Sequence, residues 1–542
     1  MRIAAAILLV TMLQAVQLPR EPAAAAPTAT VRGRATDAST GKPLRMVRVA
    51  LTPQGRQGNP TPRSTRTDIE GRYQFQGLPP GSYALSFQKA RYANASLGQG
   101  TGDAAGRPLT LAAGQVLDGA DLALQRAAAI TGRVLDDTGE PLQGAVVTAM
   151  KPGFRETGRA LVSVGAAGTD DRGQYRLAQL PPGDYYVVAQ ERAAGFGTMA
   201  DADIGLAITA YPAATDTRGA RAVTVRGGTD TSGIDIAMAG VIPAVVTGVL
   251  LDVAAQPAPN VEMVMQSVSD GPGAGLGGSA RTAADGTFKF PKVLPGRYEL
   301  HARYNVRPLQ GAIVPLTIAP GSDNPLNVQL TTGGRMKGRV VPPEGTTADP
   351  ATVRINALPI GDTLVFGTGF GGTVGPDWTF DWDFLLGRRI IRSQVSGLPE
   401  GWYLKAVMRG DEDITDQPVT FTGAEAVDNL TVLLTTDRTV LTGRAIDAES
   451  KPVSDFTVIV FPDEPSQWQS WSRFLQTARP DQSGEFRVQG LPPGRYFAAA
   501  VRTVQQYEWL DKAYLERLRP LATEVKLDVN RAAAVSLKLV RP

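Results

Sequence analysis

The chain has 542 residues, 43% hydrophobic and 20% charged, and 59 Gly with 40 Pro favour turn-rich β structure. Lys and Arg total 55 against 52 Asp and Glu, a formal charge of +3 that is too small for an electrostatic nucleic-acid binder of this size. With no Cys and a single His, His301, the sequence excludes disulfides, thiolate zinc sites, cysteine nucleophiles and any centre needing two imidazoles.

The chain opens on Met1-Arg2 and the apolar run Ile3–Leu13. That run is shorter than the roughly 20 residues a membrane helix needs, and it suits a secretory signal. Small residues at Ala23–Ala26 offer a cleavage site, so residues 1–26 are read as a signal peptide. No Cys follows to carry a lipid, and no later stretch is apolar enough to span a bilayer once the signal is removed. The expected location is therefore periplasmic, outer-membrane-associated or secreted. An exported chain without disulfides must stabilise each domain through its apolar core, which needs about 100 residues.

A repeat of that size runs through the sequence. Val31-Arg-Gly-Arg34, Ile130-Thr-Gly-Arg-Val134, Val246-Thr-Gly-Val249, Met336-Lys-Gly-Arg-Val340 and Leu441-Thr-Gly-Arg444 share one glycine, spaced 99, 116, 90 and 105 residues apart. In four copies an Asp turn ending in Gly follows, at Asp68–Gly71, Asp170–Gly173, Asp285-Gly286 and Asp481–Gly484, leading into alternating apolar positions. The Asp supplies a side-chain bond to the turn, and the Gly supplies positive φ. A third mark reads Leu78-Pro-Pro-Gly-Ser-Tyr83, Leu180-Pro-Pro-Gly-Asp-Tyr185, Leu294-Pro-Gly-Arg-Tyr298, Leu398-Pro-Glu-Gly-Trp-Tyr403 and Leu491-Pro-Pro-Gly-Arg-Tyr496. Proline makes this a stiff loop, and the Tyr opens the next strand with its ring buried and its hydroxyl free to bond backbone at a sandwich corner. Each copy closes on an alternating strand, at Asp121–Leu124, Ile234–Met238, Leu326–Leu330, Leu430–Leu434 and Val535–Leu539. Period-two alternation in short strands predicts an antiparallel β-sandwich.

These marks resemble the carboxypeptidase regulatory-like domain over essentially the whole chain after residue 26. The resemblance implies an all-β fold: a tandem array of five seven-stranded Greek-key sandwiches, immunoglobulin-like or prealbumin-like, with kinship to Cna B-type and starch-binding-like domains. It implies no peptidase activity. The expected modules are 27–126, 127–239, 240–333, 334–436 and 437–542. The fourth departs: Trp378–Phe384 and Leu386–Ile390 stand where the Asp turn is expected. In the fifth, Tyr507, Leu510, Tyr514, Leu515 and Leu518 follow helical spacing, predicting one short helix over 505–518 that packs on the last sandwich or docks a partner.

Little catalytic equipment is present. Alternation places His301 with Glu299 and Arg303 on a wet strand face. The Gly-rich stretches 271–278 and 367–372 open no helix and carry no Lys-Ser/Thr, so they are loops rather than phosphate cradles. Asp68 with Glu70, Asp170 with Asp171, and Asp411–Asp413 with Asp416 offer oxygen ligands without the calcium-loop alternation, so no metal and no cofactor are assigned. All six Trp fall in the last two modules, and Trp402 beside Tyr403 reads as structural. Trp468-Gln-Ser-Trp471 lies in a polar, Pro-rich insertion. Its rings, with Gln467 and Gln469, either form a sugar-stacking platform or pack against the helix and the fourth module. The sequence therefore predicts an exported, non-catalytic protein binding carbohydrate or another cell-surface polymer. A stalk for protein contact and an in-trans accessory of a hydrolase or outer-membrane transporter are the alternatives.

Overall fold

The computed structural model describes residues 28–54, 61–99, 106–191, 205–215, 219–268, 275–360, 372–393, 398–399 and 401–542. The segment read as a signal peptide lies outside them, as do residues 271–274 and 367–371 of the Gly-rich stretches; the second half of the first stretch is not a loop but opens the strand Gly275–Arg281, which pairs with Glu262–Ser267. The fold is all-β. Among the described residues, five main hydrophobic cores follow one another, built on residues 29–124, 128–238, 244–330, 336–434 and 441–537, with two smaller clusters on outer sheet faces.

The first sandwich shows the plan. Ala29–Asp37 pairs antiparallel with Arg72–Leu78 and parallel with Val116–Leu117 and Leu122–Leu124. Facing it, Arg48–Pro53 lies between Arg63–Arg66 and Gly81–Gln88. Alternation does what it should: Tyr73, Phe75 and Leu78 point inward while Arg72, Gln74 and Gln76 are exposed. Strand direction is where the structure departs from an antiparallel expectation. In all five sandwiches the first strand runs parallel to the last, a relation that side-chain periodicity does not encode.

That parallel pairing accounts for the shared glycine. A Cβ at Gly33, Gly132, Gly248, Gly338 or Gly443 would sit 2.2, 1.9, 2.0, 2.3 or 2.0 Å from a backbone oxygen of the neighbouring segment, at Ala120, Ile234, Leu326, Leu430 or Val535. The other marks are equally local. In the turns, Asp68, Asp170, Asp285 and Asp481 each accept a backbone N–H from two to four residues on, and the Gly takes positive φ. The corner hydroxyls of Tyr83, Tyr185, Tyr298 and Tyr496 each donate to the carbonyl four residues back, at 2.7–2.8 Å.

The fourth sandwich solves the same geometry with other residues. Its Asp turn is present in shape: Asp377 accepts from Thr379 N–H, and Trp378 adopts the positive φ (62°) that Gly supplies elsewhere. Register identifies the corner as Leu385-Leu386-Gly387, since Gly334 opposes Leu385 as Ala29 opposes Leu78. Leu398–Tyr403 is therefore not the corner mark it resembles in sequence; Tyr403 begins a strand in the other sheet, beside Ala426–Thr435. Arg389 fills the corner-tyrosine position, opposing Pro359 as Tyr83 opposes Pro53. Fully buried, it donates from Nε to Leu386 O at 2.8 Å and from Nη1 to Ala357 O at 3.2 Å. Burial draws its pKa down to about 10.

The helix is shorter than the 505–518 expected. It spans Lys512–Leu518, preceded by a 3₁₀ turn at Glu508–Leu510. Tyr507 is left-handed and Asp511 is extended, so neither continues a helix; Asp511 instead caps it by accepting from Tyr514 N–H. Tyr514, Leu515 and Leu518 cover Ile459, Phe461, Phe497 and Val501 on the outer face of a sheet whose inner face forms the fifth core.

Asp37 ties the last residues of the first sandwich to its first strand. Only 2% exposed, it accepts from Ser39 Oγ and N–H, Thr40 N–H, Tyr92 OH and Arg126 Nε. The Ser39 hydroxyl, against the opposing effect of burial and aided by Tyr92, holds its pKa well below the usual carboxylate range. A depressed folded pKa gives stability that is present above about pH 4 and lost as pH falls towards the folded value. Asp37→Asn should therefore lower the urea midpoint of the first sandwich at pH 7, with the gap to wild type narrowing on acidification. A gap constant with pH would refute this.

Candidate functional site

The aromatic insertion of the fifth sandwich runs from Pro462 to Gln476 and contains a 3₁₀ turn at Pro465–Gln467. Its two Trp point into different surroundings. Trp468 is 3% exposed; its Nε1 donates to Pro462 O at 2.9 Å and its ring meets Phe461 edge-on at 5.6 Å, within the cluster under the helix. Trp471 is half-buried against the fourth sandwich. Its Nε1 reaches Asp416 O at 3.3 Å, its carbonyl accepts from Arg392 at 2.6 Å, and the Arg388 guanidinium lies 4.8 Å over its ring. Gln467 is half-buried, while Gln469 is exposed and leans on Ser466 O. One ring therefore lies against the helix cluster and the other at the fourth sandwich.

A polar network surrounds Trp471. The Asp416 carboxylate takes Arg392 Nη2 at 2.8 Å and Arg473 Nε at 3.0 Å, while Arg473 also donates to Lys405 O. All three charged side chains are partly buried at this junction, where charge-assisted hydrogen bonds hold geometry well. Tyr403 adds to it: a Cβ on Gly490 would meet its ring at 2.6 Å, so a glycine is needed where the two sandwiches touch. Trp378 and Trp402 stack at 6.3 Å on the fourth core.

His301 is not on a wet face. It is 6% exposed, 3.3 Å from the Glu299 carboxylate. Its strand face carries Glu299, His301 and Arg303, with Ile313 and Gly311 opposite, and the fourth sandwich lies against it. Phe384 and Leu386 approach Gly311, and Arg303 sits 5.9 Å over the Phe384 ring. Alternation identified the outer face correctly; packing of the next sandwich buries it.

Four of the carboxylates considered as oxygen ligands have local duties. Asp68 and Asp170 bond their own turns, Asp413 accepts from Thr415, and Asp416 belongs to the arginine network. Among the described residues no three His, Cys, Asp or Glu side chains gather as a metal site, and no helix is long and apolar enough to cross a membrane.

A groove of about 940 Å³ opens in the second sandwich beside Gly132, Arg133, Asp170, Tyr175, Arg176 and Asp235. Its charges are largely engaged: Asp235 accepts from Arg133 N–H, Asp170 bonds its turn, and Arg176 pairs with Asp230 at 2.8 Å. Sequence reasoning missed this groove and the Trp471 network alike. Unbroken apolar runs at Val458–Phe461 and Phe497–Val501 do, however, signal strands buried on both faces, and hence the helix-covered surface that takes Trp468.

Residues 30–125 and 129–239 each match the carboxypeptidase regulatory-like domain family. No curated protein matches the chain. Similar solved structures include the Bacillus anthracis TIE protein, 14% identical, covering 72% of this chain and 69% of that one at a TM-score of 0.16. A streptococcal ancillary pilin is 12% identical, covering 56% and 99% at 0.21. The Bacillus cereus major pilin subunit BcpA is 12% identical, covering 56% and 99% at 0.15.

Proposed function

We propose that this chain, which carries two tandem carboxypeptidase regulatory-like domains, is an exported, non-catalytic scaffold that works through protein contact. The supporting observation is the use made of its chemically capable side chains. Trp471, Arg388, Arg392, Arg473 and Asp416 join the fourth and fifth sandwiches, and His301 lies under the fourth. Export rests on the Met1–Leu13 pattern, and the 27–126, 127–239, 240–333, 334–436 and 437–542 modules are the scaffold's units. An accessory role beside a separate hydrolase or transporter is a form of the same proposal.

The second reading is binding of carbohydrate or another cell-surface polymer at Trp468, Trp471, Gln467 and Gln469, favoured by the half-exposed ring of Trp471 beside exposed Gln469. Affinity electrophoresis through gels containing polysaccharide separates the two. The scaffold proposal expects unretarded migration; retardation abolished by Trp471→Ala would establish the polymer reading instead. Turnover of peptide, ester or glycoside substrates by the purified chain would end the non-catalytic claim.

A further inference from the structure

The two ends of the array meet. Arg479 of the fifth sandwich donates to Gly98 O of the first at 2.6 Å while pairing with its own neighbour Asp455 at 2.9 Å. Gln482 Nε2 reaches Thr110 O at 3.0 Å, and Arg107 of the first sandwich reaches back to Ser454 O at 3.4 Å. A second contact lies on the 3₁₀ turn before the helix. The hairpin Val146–Arg155 and Gly158–Gly168 of the second sandwich packs there, with Arg159 in a two-bond pair to Asp511 at 3.0 and 3.4 Å. These residues are separated by 347 to 381 positions, so their contacts close the chain on itself.

The chemistry of this closure differs from that of the sandwich interiors. Its hydrogen bonds and its ion pair are all polar, and no strand pairing crosses between these ends among the described residues. Burial draws the Arg479 pKa down, and the like charge of Arg107 adds to this against the pull of Asp455. Arg107 Nε and Gln482 Oε1 are buried there without a hydrogen bond, which weakens an interface. An ion pair with one largely exposed partner, as Arg159 is, is screened by salt. Arrangements of this kind hold in one buffer and release in another.

We propose that the fifth sandwich is a reversible clasp. Docked on the first and second sandwiches it keeps the chain compact; released, it leaves an extended array and frees Arg107, Arg159, Arg479 and Asp511 from these contacts. The absence of Cys in the sequence makes the test direct, because introduced thiols are the only ones present. Thr110→Cys with Gln482→Cys, treated with a short bis-maleimide, should give an intramolecular cross-link in the full chain. Its yield should fall about fivefold or more from about 0.1 to about 1 M salt, as the screening length shrinks from about 10 to about 3 Å. X-ray scattering on the unmodified chain is the second measurement. The maximum dimension should be well short of the roughly 170 Å of five 100-residue domains laid end to end, and it should lengthen in Arg159→Ala plus Arg479→Ala. An extended profile at low salt, a cross-link only between molecules, or a dimension unchanged by salt and by both substitutions would overturn the clasp.

Discussion

Gly132→Ala should destabilise the second sandwich by about 3 kcal/mol or more, the upper end for overpacking, because the clash is with backbone. The new Cβ would lie 1.9 Å from Ile234 O and 2.4 Å from its carbonyl carbon. Those atoms belong to a neighbouring segment and cannot rotate aside as a side chain would. At about 4–8 °C per kcal/mol for a domain near 100 residues, the corresponding calorimetric transition should fall by at least about 12 °C. Gly165→Ala is the control: its Cβ meets only Leu180 Cδ2, at an ordinary 3.7 Å, and its effect should stay within about 0.5 kcal/mol or be stabilising, since alanine suits a strand better than glycine. Equal effects at the two positions would show that close approach of the neighbouring segment is not why the repeat keeps its glycine.

Trp468→Ala should cost about 3–5 kcal/mol, the range for emptying a buried aromatic site. The substitution removes the edge contact with Phe461 and leaves Pro462 O without its indole donor beneath the helix. Hydrogen exchange at Tyr514–Leu518 should accelerate with it, because that helix packs into the same cluster. Trp471→Ala should cost less than half as much, since its ring is half-exposed and lies at the junction with the fourth sandwich. The two outcomes separate a packing pair from a ligand platform. A loss below about 1 kcal/mol at Trp468, with helix exchange unchanged, would contradict the burial described here.

Much of the architecture is legible without coordinates, for reasons that lie within a few residues. Alternation marks buried strand faces, Asp with a following Gly marks tight turns, and a Tyr after Leu-Pro-Pro-Gly marks a corner whose bond spans four residues. The fourth sandwich shows where such reading fails. Leu398–Tyr403 has the corner's composition, whereas register assigns the corner to Leu385–Gly387 with Arg389 in place of Tyr. Trp378 likewise holds a conformation that sequence associates with Gly. Backbone geometry is what these positions share, and more than one side chain satisfies it.

What the amino-acid order determined by itself is the all-β class, the repeat and the shortage of catalytic groups, because propensity, turn chemistry and composition act over short stretches. The parallel first and last strands, the burial of His301 and the separation of Trp468 from Trp471 were decided only in three dimensions. Each depends on which surface a distant segment covers, and a wet strand face reads the same as one that another sandwich will later enclose.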